Sequence, residues 1–247
     1  MKSKEIEMTI EQFHLIEHPF GWKTEYWDGK AHLTPREHIV TTKLDISERT
    51  CTNNFDLVPI METYKTQMIE AFFETFKDSV EFCNWEQEQV YKHAEKNINN
   101  YFEGKRGEPL SNSVMVLDSS NSPRVLGLAL FLFDKKNNVR LDLLFVRPEY
   151  QGKKMATEMV SNVVDYLHGQ TVKELFSDYH ICNEASRDWH NRFGFKDIFD
   201  QLYIRLKYSW LRHEIWRHEK LGLTNKIESL EEQMNWWYSQ LEEDWKY

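Results

Sequence analysis

The chain has 247 residues, 40% hydrophobic and 14% aromatic, enough to bury a sizeable core as one large domain or as one domain with extensions. Its net charge of −9, from 40 acids against 31 bases, argues against a nucleic-acid binder, which needs clustered Lys and Arg, and suits a cationic partner through steering. Three cysteines (Cys51, Cys83, Cys182) form no pattern, no apolar run has the length of a membrane span, and the polar N-terminus lacks a signal-peptide core. No disulfide framework, metal or membrane contact is therefore expected, and the cytoplasm is the default location.

Residues 1–37 read as an aromatic hairpin extension. Asp28-Gly29 between two short aromatic or apolar runs signals a hairpin at about 22–34. It either covers a sheet edge or walls a binding site. His14-Leu-Ile-Glu-His18 fits a zinc-peptidase pattern, but Pro19 would end the required helix at its second ligand. A first main strand follows near 38–46. Residues 56–78 read as a helix with Pro59 in its first turn and a stripe of Met61, Tyr64, Met68, Phe72 and Phe76. A second helix is expected from Asn84, with Asn84 and Gln87 as a capping box and Gly104 as its end.

From 113 the pattern turns to strands: 113–117, 125–133 and 140–146, an antiparallel meander joined by Ser-Ser-Asn-Ser-Pro and Lys-Lys-Asn-Asn turns. A helix at 150–168, a strand at 173–180, a short helix at 186–192 and a last strand at 201–206 complete an α/β fold. Residues 207–247 read as a C-terminal helical extension. Asn225 and Glu228 would cap it, and Ile227, Leu230, Met234, Trp237 and Leu241 form a narrow apolar seam. That seam packs back on the same chain or makes a homodimer contact.

The stretch from Arg140 to Ala156 carries the chemistry. An apolar strand ends at Pro148, and a turn with Gly152, Lys153 and Lys154 opens the next helix, so free backbone N–H groups and the helix dipole favour phosphate there. Val146, Pro148, Tyr150, Gln151, Gly152 and Ala156 resemble the acetyl-CoA motif of the GNAT superfamily of N-acetyltransferases, with Lys154 where that family prefers glycine. Asn183 through Gly194-Phe195 resembles the family's second block, with His190 where it usually has tyrosine.

The resemblance covers roughly residues 40–206, taken with its flanks as a domain at 38–206. It implies a mixed, mostly antiparallel sheet of six to seven strands flanked by helices and splayed between strands four (140–146) and five (173–180). It implies acetyl-CoA as co-substrate, with Leu144, Phe145, Val146, Gln151, Gly152, Lys153, Lys154, Met155, Ala156 and Asn183 as its binding residues and no metal. Phe72, Phe73 and Phe76 become candidates for an acceptor groove. The expected reaction is direct transfer of acetyl to a primary amine, on a small molecule or a peptide, in a ternary complex.

Transfer needs a polarised carbonyl, a neutral amine and a protonated leaving thiolate. Asp142, taken to face the side of Leu144 and Val146, is the candidate base, or else a partner in a salt bridge with Arg140 or a Lys. His190 is the candidate acid, since histidine titrates near neutral pH, with Tyr150 and Tyr179 as fallback donors. The alternative function is a non-catalytic module that senses acyl-CoA or binds a partner through the same slot.

Overall fold

The structure, a computed structural model, describes residues 4–50, 54–118 and 123–246. Strand β1 (Lys4–Glu7), helix α1 (Ile10–Leu15) and the hairpin β2 (Trp22–Trp27) and β3 (Lys30–Pro35) come first. Asp28 and Gly29 both take positive φ, 50° and 72°, as a two-residue turn matched to strand twist requires. The three strands form their own antiparallel sheet in the order β1-β3-β2. The hairpin therefore extends no edge of the main sheet. The segment before it is tied down instead: Trp210 Nε1 donates to the His18 carbonyl at 2.7 Å, and Cys182 Sγ to that of Gly21 at 3.1 Å.

The main sheet comprises β4 (Ile39–Asp45), β5 (Leu57–Pro59), β6 (Glu108–Pro109), β7 (Val114–Leu117), β8 (Val125–Phe133), β9 (Val139–Val146), β10 (Glu174–His180) and β11 (Lys196–Ile198). Its order is β11-β4-β10-β9-β8-β7-β5, with β6 paired to β8. Only β9 and β10 run parallel, joined by the crossover helix α4 (Met155–Gly169). The sheet is mixed and mostly antiparallel, as expected, but has eight strands among the described residues. β5 and β6 are too short to leave a period-two pattern.

Helices cover both faces, which is why β8 is an unbroken apolar run. On one face Leu126, Ala129 and Phe131 pack on Met155, Met159, Val163 and Leu167 of α4. On the other, Val125, Leu128 and Leu130 pack on Met68 and Phe72 of α2 (Lys65–Phe76) and on Ala94 and Ile98 of α3 (Gln87–Phe102). Gly127 lets α4 come close: a Cβ there would sit 2.9 Å from the Phe145 carbonyl oxygen and 3.2 Å from Met155 Sδ.

Several boundaries differ from expectation for local reasons. The helix expected from 56 begins at Lys65, because Pro59 sits in β5 opposite Val114. Its successor is capped at Glu86 with Gln89, two residues later than the Asn84 box. The helix expected from 150 starts at Met155, after a 3-10 turn at Pro148–Tyr150. The short helix α5 runs Glu184–Phe193. Residues 119–122, where the sequence predicts a turn before β8, and Cys51 lie outside the described residues; Cys83 and Cys182 are free thiols.

The largest correction is at 201–206. The alternation of Leu202, Ile204 and Leu206 suggests a strand, yet these residues open the helix α6 (Gln201–Lys220). Asp200 caps it, accepting from Tyr203 N at 2.7 Å, and Tyr203, Ile204, Leu211 and Ile215 share its buried face at helical spacing. The last strand is β11 instead, and a division at 207 falls inside α6. The tail helix α7 spans Ile227–Ser239 without the Asn225–Glu228 box. Trp237 and Leu241 are buried, and Leu230 and Met234 pack beside them against Tyr203, Ile204 and Leu211 of α6. The seam thus packs on its own chain.

Candidate functional site

β10 pairs with β4 along its whole length, but with β9 only at Leu175–Ser177 against Val139–Leu141. Beyond that point the two strands part, and among the described residues Asp142–Val146 has no strand partner on that side. The result is the expected splay. It opens a cavity of about 820 Å³ lined by the freed part of β9, the 150–157 turn, Ser177–His180 and one side of α5. Arg147 anchors the far end of β9: its guanidinium, 1% exposed, reaches the Val125 carbonyl at 2.6 Å and the Glu74 carboxylate. No sequence pattern marked it.

At one end of the cavity lies the turn into α4. Gly152 has φ 76° and Lys154 φ 65°, so a lysine occupies the left-handed position at the helix N-cap. Its side chain makes no cap hydrogen bond, which leaves the first-turn N–H groups without a side-chain partner. A Cβ at Gly152 would meet nothing within 4 Å, so the demand there is on φ, and the space beside the turn is open. Lys153 lies over the Tyr150 ring at 4.8 Å, and among the described residues neither lysine has a salt bridge. Exposed N–H groups, free ammonium groups and open space fit the pyrophosphate of an acyl-CoA, and the freed edge of β9 fits its amide-bearing arm.

The expected binding residues divide. Leu144, Phe145, Val146, Gln151, Gly152, Lys154, Met155, Ala156 and Asn183 line the cavity; Lys153 does not. Gln151 Nε2 donates to the Val146 carbonyl at 3.0 Å, bracing the strand end. Asn183 is engaged twice: Oδ1 accepts from Ser186 N at 2.9 Å, capping α5, and Nδ2 donates to Glu81. Of the three phenylalanines, Phe76 lines the cavity, Phe72 is buried against Phe145, and Phe73 packs on Tyr91. No lining residue comes from β2 or β3, so the hairpin does not wall this cavity.

Asp142 lines the cavity but faces otherwise than expected. The pairing passes from Leu130–Leu143 to Phe131–Leu141, making Asp142 the extra residue of a bulge. The bulge turns it from the side of Leu144 and Val146 to the α3 side, where Arg106 meets its carboxylate at 2.5 Å. Asn97 of α3 holds the same guanidinium. Burial raises the Asp142 pKa, with Arg106 opposing. Arg140, the partner anticipated for Asp142, binds Asp178 instead.

His190 is 3% exposed. Nδ1–H donates to the Ser186 carbonyl at 2.8 Å, which leaves Nε2 to accept from the Ser177 hydroxyl at 2.9 Å. Burial lowers its pKa, so the resting ring is neutral at pH 7. Ser177, from β10, was missed because an isolated serine in a strand carries no signature. Tyr179 donates to Asp197 at 2.9 Å, and burial pushes its pKa up; Tyr150 lines the cavity.

The zinc-like histidines are structural. His18 lies beyond α1, donates from Nε2 to the Phe13 carbonyl at 3.1 Å, and stacks on His213 at 4.0 Å. Among the described residues no three His, Cys, Asp or Glu side chains gather as a metal site, and no helix is long and apolar enough to cross a membrane.

Sequence comparison matches residues 66–195, a little over half of the chain, to the Acetyltransferase (GNAT) family. No curated protein matches significantly. Among solved structures, similar chains include a GCN5-related N-acetyltransferase of Sphaerobacter thermophilus (11% identity, TM-score 0.45). The match covers 65% of this chain and 48% of that one, so this chain spans about half its length. A GNAT-family acetyltransferase of Staphylococcus aureus Mu50 gives 16% identity and TM-score 0.45 over 59% and 86% of the two chains. An aminoglycoside 6′-N-acetyltransferase of Acinetobacter baumannii gives 15% and 0.40 over 60% and 94%. On the family match, which spans nearly all of α2 through α5 and both strands that part, the chain belongs to the acetyltransferase (GNAT) family.

Proposed function

We propose that the protein transfers acetyl directly from acetyl-CoA to a primary amine, both substrates being bound together. The observation that carries this reading is the parting of β9 and β10 above a cavity whose far end is the N-terminus of α4. Acetyl-CoA supplies the activated acetyl thioester. The residues around the slot divide the remaining work.

Gly152, Lys154 and the first turn of α4 receive the phosphates, and Lys153 adds charge at the rim. The freed backbone of Leu143–Val146 offers N–H and C=O groups to an extended amide-bearing arm, and its N–H groups polarise an acyl oxygen. Ser177 and His190 form the acid side. The reacting form carries a proton on His190 Nε2, which passes to the Ser177 hydroxyl as that hydroxyl gives its own to the departing sulfur, and solvent then restores it, so His190 acts through Ser177 rather than by direct contact. Asp142, neutralised by Arg106, holds the bulge that opens the slot. Domain limits near 38 and within α6 follow from the same reading, with β1–β3 and α6–α7 as flanking supports.

The test is a thermal shift with acetyl-CoA, followed by thiol release from acetyl-CoA with butylamine, spermidine, kanamycin and a short peptide. Binding with turnover is expected, because a ligand of the native state raises its melting temperature by mass action. No shift at millimolar acetyl-CoA would overturn the co-substrate assignment. A shift without turnover on any amine would make the chain an acyl-CoA-sensing module.

A further inference from the structure

Three carboxylates line the cavity: Glu81, Asp142 and Asp178. Two are already neutralised. Asp142 is paired with Arg106, and Asp178 with Arg140 while also accepting from Thr41 Oγ1 at 2.9 Å. Glu81 differs. It lies in the 3-10 turn Val80–Phe82 between α2 and α3, and its one hydrogen-bond partner among the described residues is a neutral amide, Asn183 Nδ2 on Oε1. Its second oxygen, Oε2, is shielded from solvent and has no hydrogen-bond partner among the described residues.

A shielded carboxylate oxygen without a donor is costly unless a ligand supplies one. The ligand must be a donor and, for charge balance, a cation. Glu81 lines the cavity close enough to His180, whose partner on β4 is Ile39, for its charge to act on that ring. Asn183 ties this carboxylate to the cap of α5, so its position is fixed by the same helix that carries His190.

Resting on the acetyl-transfer reading, we infer that Glu81 receives the ammonium group of the acceptor and takes its proton. The amine arrives as R–NH3+ at the Glu81 carboxylate, which turns Oε2 toward the cavity to meet it, and one proton passes to the carboxylate. The neutral nitrogen attacks the thioester carbonyl, a C–N bond forms and the C–S bond breaks. The nitrogen loses a second proton as the amide forms, and the thiolate gains one through Ser177. Glu81 then releases its proton to solvent, and the sum is amide, free thiol and one proton. The site selects a primary amine carried on an uncharged or cationic body, since a carboxylate next to that nitrogen would face Glu81 directly.

The titratable groups facing Glu81 are His180, at the end of β10, and Cys182, just beyond it. The charge on Glu81 raises the pKa of both, while burial is the larger influence on each, lowering His180 and raising Cys182.

The test compares wild type with Glu81→Gln and Glu81→Asp, using acetyl-CoA with butylamine and spermidine. The amide of Glu81→Gln keeps an acceptor for Asn183, so melting temperature and acetyl-CoA affinity by calorimetry should match wild type. At pH 7 its kcat/KM should fall roughly 10²–10⁴-fold, the range for a lost base. The deficit should shrink as pH nears the amine's own pKa, where neutral amine arrives unaided. Glu81→Asp should recover part of the rate. A pH-independent deficit, or turnover within threefold of wild type, overturns the role of Glu81 while leaving acetyl transfer intact. If wild type turns over no amine, acetyl transfer fails, and spermidine calorimetry on the CoA-saturated protein decides. Binding lost in Glu81→Gln upholds Glu81 as the cation site, and equal or absent binding in both refutes it.

Discussion

Truncating Trp237 to alanine isolates what the tail helix contributes. Trp237 is 9% exposed, with its ring centroid 4.9 Å from Phe199, 5.7 Å from Tyr203 and 4.7 Å from Trp236. Removing a buried indole costs about 3–5 kcal/mol in transfer and cavity terms. At about 2–4 °C per kcal/mol for a chain of this size, Tm should fall by roughly 6–20 °C. Trp236, on the same helix but 52% exposed, is the control. Its loss removes one edge-to-face contact, worth at most about 1.5 kcal/mol. Differential scanning calorimetry at several protein concentrations, with sedimentation velocity, makes the measurement. A fall under about 2 °C for Trp237→Ala would refute the packing. So would a Tm that rises with concentration alongside a dimer that the substitution dissolves, since the seam would then belong to a second copy.

His190→Phe should cut turnover roughly 10²–10⁴-fold with acetyl-CoA affinity unchanged, and His190→Tyr should restore much of it and move the alkaline limb of the pH profile upward; wild-type turnover in the Phe variant would remove His190 from the proton path. Lys154→Gly should relieve left-handed strain of about 1–2 kcal/mol, offset by about 0.5–1 kcal/mol of chain entropy. Calorimetry at two salt concentrations should show weaker, less salt-dependent acetyl-CoA binding, and unchanged affinity would show that the ammonium is idle. His18, His93, His180, His190 and His213 all have pKa values lowered chiefly by burial. As pH falls through about 6.5 the unfolded chain binds protons that the folded one refuses, so stability should drop below that pH and be level above it. Urea midpoints from pH 5 to 8 that stay flat would contradict this.

The parts of the fold that were legible are those written into contiguous residues. β8 and β9 are apolar runs bounded by turn residues, and the Gly152 turn precedes a periodic helix, so these elements could be read directly, while the parting of β9 and β10 was expected only from the family resemblance. α6 was not legible at its start, because Leu202, Ile204 and Leu206 satisfy a strand period while only Asp200 and the later buried positions declare a helix. The face of Asp142 depended on a bulge, which arises from pairing with β8 and leaves no local trace. Glu81 meets Asn183 from 102 positions away, in a segment without periodicity, so only tertiary structure could single it out.

A continuous sheet has two edges; one that parts between β9 and β10 has four. The inner pair presents unpaired amides as an outer edge does, and so is a template for strand addition. Here the templates face each other across a cavity of about 820 Å³ beside α4 and α5, turned inward rather than toward a neighbouring molecule. Shape therefore guards against aggregation without the charges or prolines that outer edges use. Amide exchange would reveal the arrangement: along β9, N–H groups bonded to β8 should exchange slowly and those facing the cleft quickly, in alternation, until a ligand fills the gap and slows both.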